Sequence, residues 1–207
     1  MTKAIIFDLG GVILNLNFDL TLQAFKKLGA DYFDSFFSKD GQSEIFDNYE
    51  TGLLSCEEFR YHLKNLLGIP PRVSVQEFDA AWNAMLLDLP KARLDFILEM
   101  KNKGYQTFLL SNTNGIHLKR VKEIAKTVQV DSFSPYFQRE YYSHLVGMRK
   151  PEPDIFLKVL NDHHLIATET LFVDDSQQNI MTAKKIGINT FQVSKKNQIF
   201  DIIKVLV

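Results

Sequence analysis

Apolar residues follow two different patterns along this chain. Between Asn17 and about Leu89 they recur at helical spacing in four segments, FDLTLQAFKKLG, SEIFDNYETG, SCEEFRYHLKNLLG and SVQEFDAAWNAML. From Pro90 onward, short apolar runs typical of buried strands alternate with helical segments. The pattern therefore predicts a helical first part and a second part in which strands and helices alternate.

Local signals mark the ends of two of these helices. Ser55 followed by Glu58 three positions later is a capping-box pattern, and Gly68 is expected to end the same helix. Pro90 and Gly104 bracket the helical segment PKARLDFILEMKNKG in the same way.

The alternating part predicts a parallel sheet with helices on both faces. Its strand-like runs are YQTFLLSN, TLFVDD and INTFQV, its helical segments are HLKRVKEIAKTV, PDIFLKVLNDHH and SQQNIMTAKKIG, and NQIFDIIKVL closes the chain. A further strand at residues 3–8 has no crossover helix of its own before the helical part begins. The simplest organisation is an α/β, Rossmann-like sheet with a helical domain inserted after the first strand, between residues 16 and 90.

Composition and charge narrow the range of partners. The 207 residues include 24 Lys and Arg against 25 Asp and Glu, so the chain lacks the basic surplus of a nucleic-acid-binding protein. No stretch approaches the roughly 20 apolar residues of a membrane span, and the N-terminus has no signal-peptide pattern. Cys56 is the only cysteine, which excludes an internal disulfide and fits a reducing compartment. We expect a cytoplasmic monomer or weak dimer with neither nucleic-acid nor membrane partners.

Polar residues follow three of the predicted strands at the point where each strand ends. In an open parallel sheet, ligands bind beyond these carboxyl ends. Taken singly, each polar residue has a plain alternative as a turn residue, a helix cap or a solvated side chain. Their occurrence on successive strand ends favours one shared site. The residues are Asp8, Ser111, Asn112, Asp174 and Asp175, with Lys150 in a loop before the helix that leads back to the same edge.

These residue types are chemically coherent as a phosphoryl-transfer site. Carboxylates brought close together resist ionisation unless a cation lies among them, and Mg²⁺ prefers oxygen ligands of this kind. A hydroxyl, an amide and a lysine opposite the metal can bind the oxygens of a phosphoryl group. A carboxylate facing that group can attack it and form an aspartyl-phosphate.

Four motifs in order, FDLGGVI, LLSNTN, GMRKPEPDIF and FVDDSQQN, resemble those of the haloacid dehalogenase-like hydrolase superfamily. The chain is similar to the bacterial branch of small phosphatases that carry a helical cap, including sugar-phosphate phosphatases with a glycine-containing first motif. The resemblance implies a core of residues 1–16 and 90–207, a cap of residues 17–89, Mg²⁺ as cofactor and a small phosphorylated metabolite as substrate. The superfamily also includes dehalogenases, phosphonatases and mutases. The motifs are therefore less specific for the reaction than for the fold.

The resemblance also implies a role for each matching residue. Asp8 would be the nucleophile and a metal ligand, and the main-chain carbonyl of Gly10 would be a second ligand. Asp175 would bind the metal directly, and Asp174 would bind it either directly or through water. Ser111, Asn112 and Lys150 would bind the phosphoryl group, and Lys150 would also neutralise charge on the nucleophile. Asn179, one helical turn after Asp175, would either steady a carboxylate or be an ordinary helix residue.

The glycine at position 10 departs from the superfamily's usual phosphatase pattern, in which an aspartate there protonates the leaving oxygen and later activates water. Glycine cannot move a proton, and general acid–base help is typically worth about 10²–10⁴-fold. Three interpretations follow. They are a phosphatase whose leaving group needs little protonation or finds another donor, a metal-independent 2-haloacid dehalogenase, and a catalytically weak binding or regulatory protein.

Three expectations concern side chains around the site. Trp82 is expected inside the cap or between the cap and the core. The stretch YETG, residues 49–52, is a candidate to face the substrate. Arg149 adjoins Lys150 in sequence but is expected at the surface.

Overall fold

The computed structural model describes residues 1–35 and 44–206. Its strands are β1 (Ala4–Phe7), β2 (Gln106–Ser111), β3 (Arg139–Tyr142), β4 (Thr170–Asp174) and β5 (Asn189–Gln192). They form one parallel sheet in the order β3-β2-β1-β4-β5, with the first strand at the centre. This arrangement confirms the predicted α/β class.

Four helices of the described residues lie within the predicted insertion, residues 17–89, as the helical spacing predicted. They are α1 (Phe18–Lys27), α2 (Glu44–Glu50), α3 (Cys56–Leu67) and α4 (Val75–Asn83). Ser55 and Glu58 form the predicted capping box of α3, and Gly68 ends that helix with a left-handed φ of 65°. Ser43, the first residue of the predicted second helix, lies outside the described residues.

The remaining helices cover the two faces of the sheet. They are α5 (Lys91–Asn102), α6 (Gly115–Thr127), α7 (Ser143–Val146), α8 (Pro153–Asp162) and α9 (Gln177–Lys185). Successive residues of a strand point to opposite faces. Ile5 and Phe7 accordingly join the apolar cluster that includes α5 and α6, whereas Ala4 and Ile6 join the cluster that includes α8 and α9. Burial on both faces explains why β1 is apolar throughout.

The inserted helices enclose an apolar cluster of their own, built around aromatic side chains. The rings of Phe25, Phe46 and Phe59 lie 6.3, 5.6 and 5.1 Å from the ring of Trp82, measured between centroids. This cluster is distinct from the two clusters that cover the sheet, and Ile116 of α6 also joins it. The limits of the two units, 1–16 with 90–207 and 17–89, stay a prediction.

Two strands differ from the prediction, and the structure also shows which element the closing segment forms, which the sequence did not predict. Strand β1 is shorter than the predicted 3–8, and Asp8 follows it. Strand β3 was not predicted, because its four residues, REYY, begin with two charged side chains at the sheet edge and show no apolar run. The closing segment forms a 3₁₀ helix at Ile199–Lys204. In the described parts of the chain, no helix combines the length and the apolar character needed to cross a membrane.

The register of the central strands aligns their carboxyl ends. Phe7, the last residue of β1, pairs with Leu109 on one side and with Val173 on the other. The main-chain N–H of Asp8 continues this pairing by donating to the carbonyl of Val173 at 2.9 Å. Asp8 is therefore level with Asp174 at one edge of the sheet.

Candidate active site

Lys150 lies at the centre of a buried cluster at this edge. Its Nζ donates hydrogen bonds to Asp8 Oδ1 at 2.8 Å, to Asp174 Oδ2 at 2.7 Å and to the carbonyl of Leu110 at 3.0 Å. The three contacts match the three donors of an ammonium group. The side chains of Lys150 and Asp174 are almost completely shielded from solvent, at 1% and 0% exposure. A charged network of this kind is stable only when its members are paired with one another.

Burial and the neighbouring opposite charges have opposing effects on the pKa values of Asp8 and Lys150. Removal from water raises the pKa of Asp8 to about 7, Lys150 opposes that shift, and the charges of Asp174 and Asp175 add to it. For Lys150, burial alone would lower the pKa, but the charges of Asp174 and Asp8 outweigh burial and raise it above its ordinary value. Lys150 is therefore a fixed positive charge, while Asp8 is sensitive to any further cation.

Asp174 is held rigidly by groups that come from its own loop and helix. The main-chain N–H of Ser176 donates to its Oδ1 at 2.7 Å, and the Asn179 amide donates to both carboxylate oxygens at 3.1 Å. Asn179 thus steadies a carboxylate, one of the two roles considered from the sequence. The carboxylate that it contacts is Asp174 rather than Asp175.

Asp8, Asp174 and Asp175 form a donor set that fits a divalent cation. Each offers a carboxylate oxygen, and these oxygens all lie within 4.8 Å of one another. Three carboxylates with one ammonium group leave a formal charge of about −2 when all are ionised, which favours an ion such as Mg²⁺ that binds through oxygen. Gly10 lines the same pocket. The residues present therefore fit the metal that the sequence predicts.

Gly11 allows the main chain to pass close to the metal-binding carboxylates. Its φ is +75°, and a Cβ at this position would lie 2.5 Å from Asp175 Oδ2. Both observations require glycine, the first because side chains rarely adopt a left-handed backbone and the second because the space is already filled. The turn expected from the sequence is present, and its tightness also sets the position of Asp175.

The structure brings Ser111 and Asn112 to the same pocket as Asp8 and Lys150. Ser111, 3% exposed, ends β2 beside the cluster. The Asn112 amide contacts the main chain of Lys150 twice, donating to its carbonyl at 2.7 Å and accepting from its N–H at 2.9 Å. The predicted role of Asn112 in phosphate binding stays a prediction, and the contacts add a function that the sequence did not indicate, that of holding the Lys150 loop.

The cap closes the pocket with a largely apolar wall. Phe18, Trp82, Met85 and Leu86 line it together with Glu50, the last residue of α2. Glu50 belongs to the YETG stretch, and its side chain lines the pocket. That this stretch faces the substrate stays a prediction.

Arg149 connects this wall to the Lys150 loop. Its guanidinium pairs with Asp47 and Glu50 of α2, with Nη2 and Nε lying 2.9 and 3.0 Å from Glu50 Oε2. Only 20% of its side chain is exposed. The expectation of a surface arginine was wrong, because the insertion brings the acidic helix α2 against the loop that carries Arg149.

Trp82 and His117 form a second connection between the inserted helices and the core. Their rings stack with centroids 4.7 Å apart, and His117 Nε2 lies 3.1 Å from the carbonyl of Trp82. Burial lowers the pKa of His117 to about 4, so its ring is neutral at pH 7. With Nε2 donating to this carbonyl, the other ring nitrogen accepts from Asn114 at 3.2 Å. Trp82 therefore packs between cap and core, as expected.

A protein-family model for haloacid dehalogenase-like hydrolases matches residues 2–187. The chain belongs to this family. Among known proteins, this hydrolase is similar to D-ribitol-5-phosphate phosphatase from Bacteroides thetaiotaomicron, with 38% identity over 192 residues that cover 93% of this chain and 92% of the relative.

Two solved structures extend the likeness to the fold. A HAD family enzyme from Bacteroides thetaiotaomicron, crystallised with magnesium and inorganic phosphate, has a TM-score of 0.85 at 37% identity and covers 96% of this chain and 97% of its own. A HAD-like family hydrolase from Porphyromonas gingivalis has a TM-score of 0.86 at 29% identity, with coverage of 100% and 98%. The predicted family, fold and class of enzyme are thereby confirmed.

Proposed function

We propose that this hydrolase is a Mg²⁺-dependent phosphomonoesterase that cleaves the phosphate ester of a small hydroxylated metabolite through an aspartyl-phosphate on Asp8. The observation that carries the proposal is the position of Lys150, whose ammonium group bridges Asp8 and Asp174 at the base of the pocket. This contact favours the ionised, nucleophilic form of Asp8. It also leaves a positive charge where an incoming phosphoryl group would carry negative charge.

The carboxylate of Asp8 attacks phosphorus, forming an aspartyl O–P bond while the bond from phosphorus to the ester oxygen breaks, and the leaving oxygen takes a proton from water and departs as an alcohol. A second water then cleaves the acyl phosphate, which releases inorganic phosphate and regenerates Asp8. Ser111 binds a phosphoryl oxygen during both steps, and the positive charge of Lys150, whose three donors are already engaged, offsets the negative charge of the phosphoryl group. Asp8, Asp174, Asp175 and the carbonyl of Gly10 would hold Mg²⁺, which would supply charge neutralisation.

The substrate class rests on the relatives and on the pocket together. D-ribitol-5-phosphate phosphatase is named for a phosphorylated polyol, and it is similar to this chain over nearly its full length. The pocket is lined by the acidic residues Asp8 and Asp175 and also by residues of the inserted helices, which would enclose a small leaving group. We infer a polyol or sugar phosphate.

Turnover of a generic aryl phosphate tests the proposal. We expect hydrolysis that requires Mg²⁺ and that Asp8→Asn abolishes. Release of chloride from a 2-haloacid without metal would support dehalogenation instead, although the acidic pair Asp174 and Asp175 would hinder that reaction. The absence of turnover in both assays and with a panel of phosphometabolites would support a binding or regulatory protein.

The missing side chain at position 10 has its own test. A Cβ added to Gly10 would meet the side-chain end of Leu16 at 2.7 Å, and that flexible group can move. If the proton donor is what this site lacks, Gly10→Asp will speed hydrolysis of alkyl phosphates more than that of anomeric sugar phosphates, whose leaving groups need less protonation. An equal effect on both substrates would contradict this explanation of the glycine.

A further inference from the structure

The cap side of the pocket carries charge at a single described position. Of the inserted residues that line the pocket, four are aromatic or aliphatic, and Glu50 is the charged one. The wall that faces the leaving group is thus apolar except for one carboxylate. Such a pocket binds the body of a ligand by its apolar surface and selects its orientation by the few polar groups present.

The geometry of Glu50 leaves part of its carboxylate for a ligand. Both contacts from Arg149 use Oε2, at 3.0 Å from Nε and 2.9 Å from Nη2. Within residues 1–35 and 44–206, no protein group donates a hydrogen bond to Oε1. The Glu50 side chain is 14% exposed. Arg149 therefore orients the carboxylate by one oxygen and leaves the other able to accept.

Arg149 also favours the charged form of this carboxylate. Burial raises the pKa of Glu50 above its ordinary value, and the Arg149 guanidinium opposes that shift. A carboxylate paired in this way accepts hydrogen bonds and donates none, so its natural partner is a hydroxyl group.

We propose that Glu50 is a specificity-determining residue, whose Oε1 accepts a hydrogen bond from a hydroxyl of the leaving group and thereby selects polyol and sugar phosphates over phosphates of apolar alcohols. This inference rests on the proposed phosphatase function and adds to it. A site that hydrogen-bonds a hydroxyl discriminates strongly against a ligand lacking one, because its polar group is then buried without a partner.

Two substrates and two variants test the inference. Ribitol 5-phosphate and pentyl phosphate have the same chain length and the same ester, but only the first has hydroxyls on its leaving group. In Glu50→Met, which keeps the volume and removes the acceptor, we expect the ratio of the two kcat/KM values to fall by about tenfold or more, about 1.4 kcal/mol. The loss should lie mainly in KM for ribitol 5-phosphate, and turnover of pentyl phosphate shows that the variant is folded.

Asp47→Asn is the matched control. Asp47 pairs with the same arginine but does not line the pocket, so its loss weakens the connection between the inserted helices and the core without changing the wall. We expect the substrate ratio of this variant to stay within about threefold of wild type.

Two outcomes would overturn the inference while the proposed function stands. One is an equal fall in kcat/KM for both substrates in Glu50→Met, and the other is a change of substrate ratio in Asp47→Asn as large as in Glu50→Met. Failure of the wild-type enzyme to hydrolyse either phosphate with Mg²⁺ would refute the proposed function itself, and the inference with it.

Discussion

Replacing Lys150 by Met removes the positive charge that separates Asp8 from Asp174 and keeps most of the side-chain volume. The lysine is 1% exposed, and its three hydrogen bonds would be lost together. Two buried carboxylates would then face one another without a counter-ion. Breaking a buried pair by removing one partner costs about 3–5 kcal/mol of unfolding free energy.

The pKa of Asp8 gives the sign of the pH dependence. Its value of about 7 in the folded protein lies above the ordinary 3.8, so folding favours the protonated form. This destabilising contribution is absent below pH 4, grows as the pH rises towards 7, and amounts to about 4 kcal/mol when complete. Without Lys150 the pKa of Asp8 would rise further. The difference in stability between variant and wild type should therefore be larger at pH 8 than at pH 5.

Urea unfolding of both proteins in EDTA at pH 5 and pH 8 measures this difference. Lys158→Met is the control, because Lys158 forms an exposed pair with Asp162, with side-chain exposures of 38% and 39%. We expect it to change the unfolding free energy by less than about 1 kcal/mol at either pH. Equal stability of wild type and Lys150→Met at pH 8, or a loss that is the same at both values, would refute the electrostatic account of the cluster.

The loops around the cluster provide two further predictions. Gly11→Ala should raise the Mg²⁺ concentration for half-maximal activity about tenfold or more by displacing Asp175, a loss of at least about 1.4 kcal/mol. Gly68→Ala, with a similar positive φ but no atom within 4 Å of its Cβ, should leave that concentration unchanged. An unaltered Mg²⁺ requirement in Gly11→Ala would argue against the close approach. Asn112→Ala should lower thermal stability and kcat together by freeing the main chain of Lys150, at a cost of about 1–3 kcal/mol. If it weakens inhibition by inorganic phosphate but leaves stability unchanged, phosphate contact is its main role.

Much of the candidate site could be predicted because its residues follow strands. Asp8, Ser111 and Asp174 each stand at the end of an apolar run, and parallel strands bring such ends to one edge. The contacts of Asn112 and Arg149 could not be predicted in this way. They reach residues 38 and about 100 positions away, and no local pattern records such contacts. Strand β3 was missed for a related reason, since its pairing with β2 compensates for a weak apolar signal of its own.

The sequence by itself determined the class of fold, the helical insertion and the residue types available for phosphoryl chemistry, because periodicity and strand ends are local properties of the chain. Tertiary structure alone decided which groups meet. It placed Lys150 between two carboxylates, turned the Asn179 amide towards Asp174, and set Glu50 of an inserted helix against Arg149 of the core. The physical reason is that charge pairing and burial depend on distances between segments far apart in the chain, and only the packing of the insertion against the sheet sets those distances.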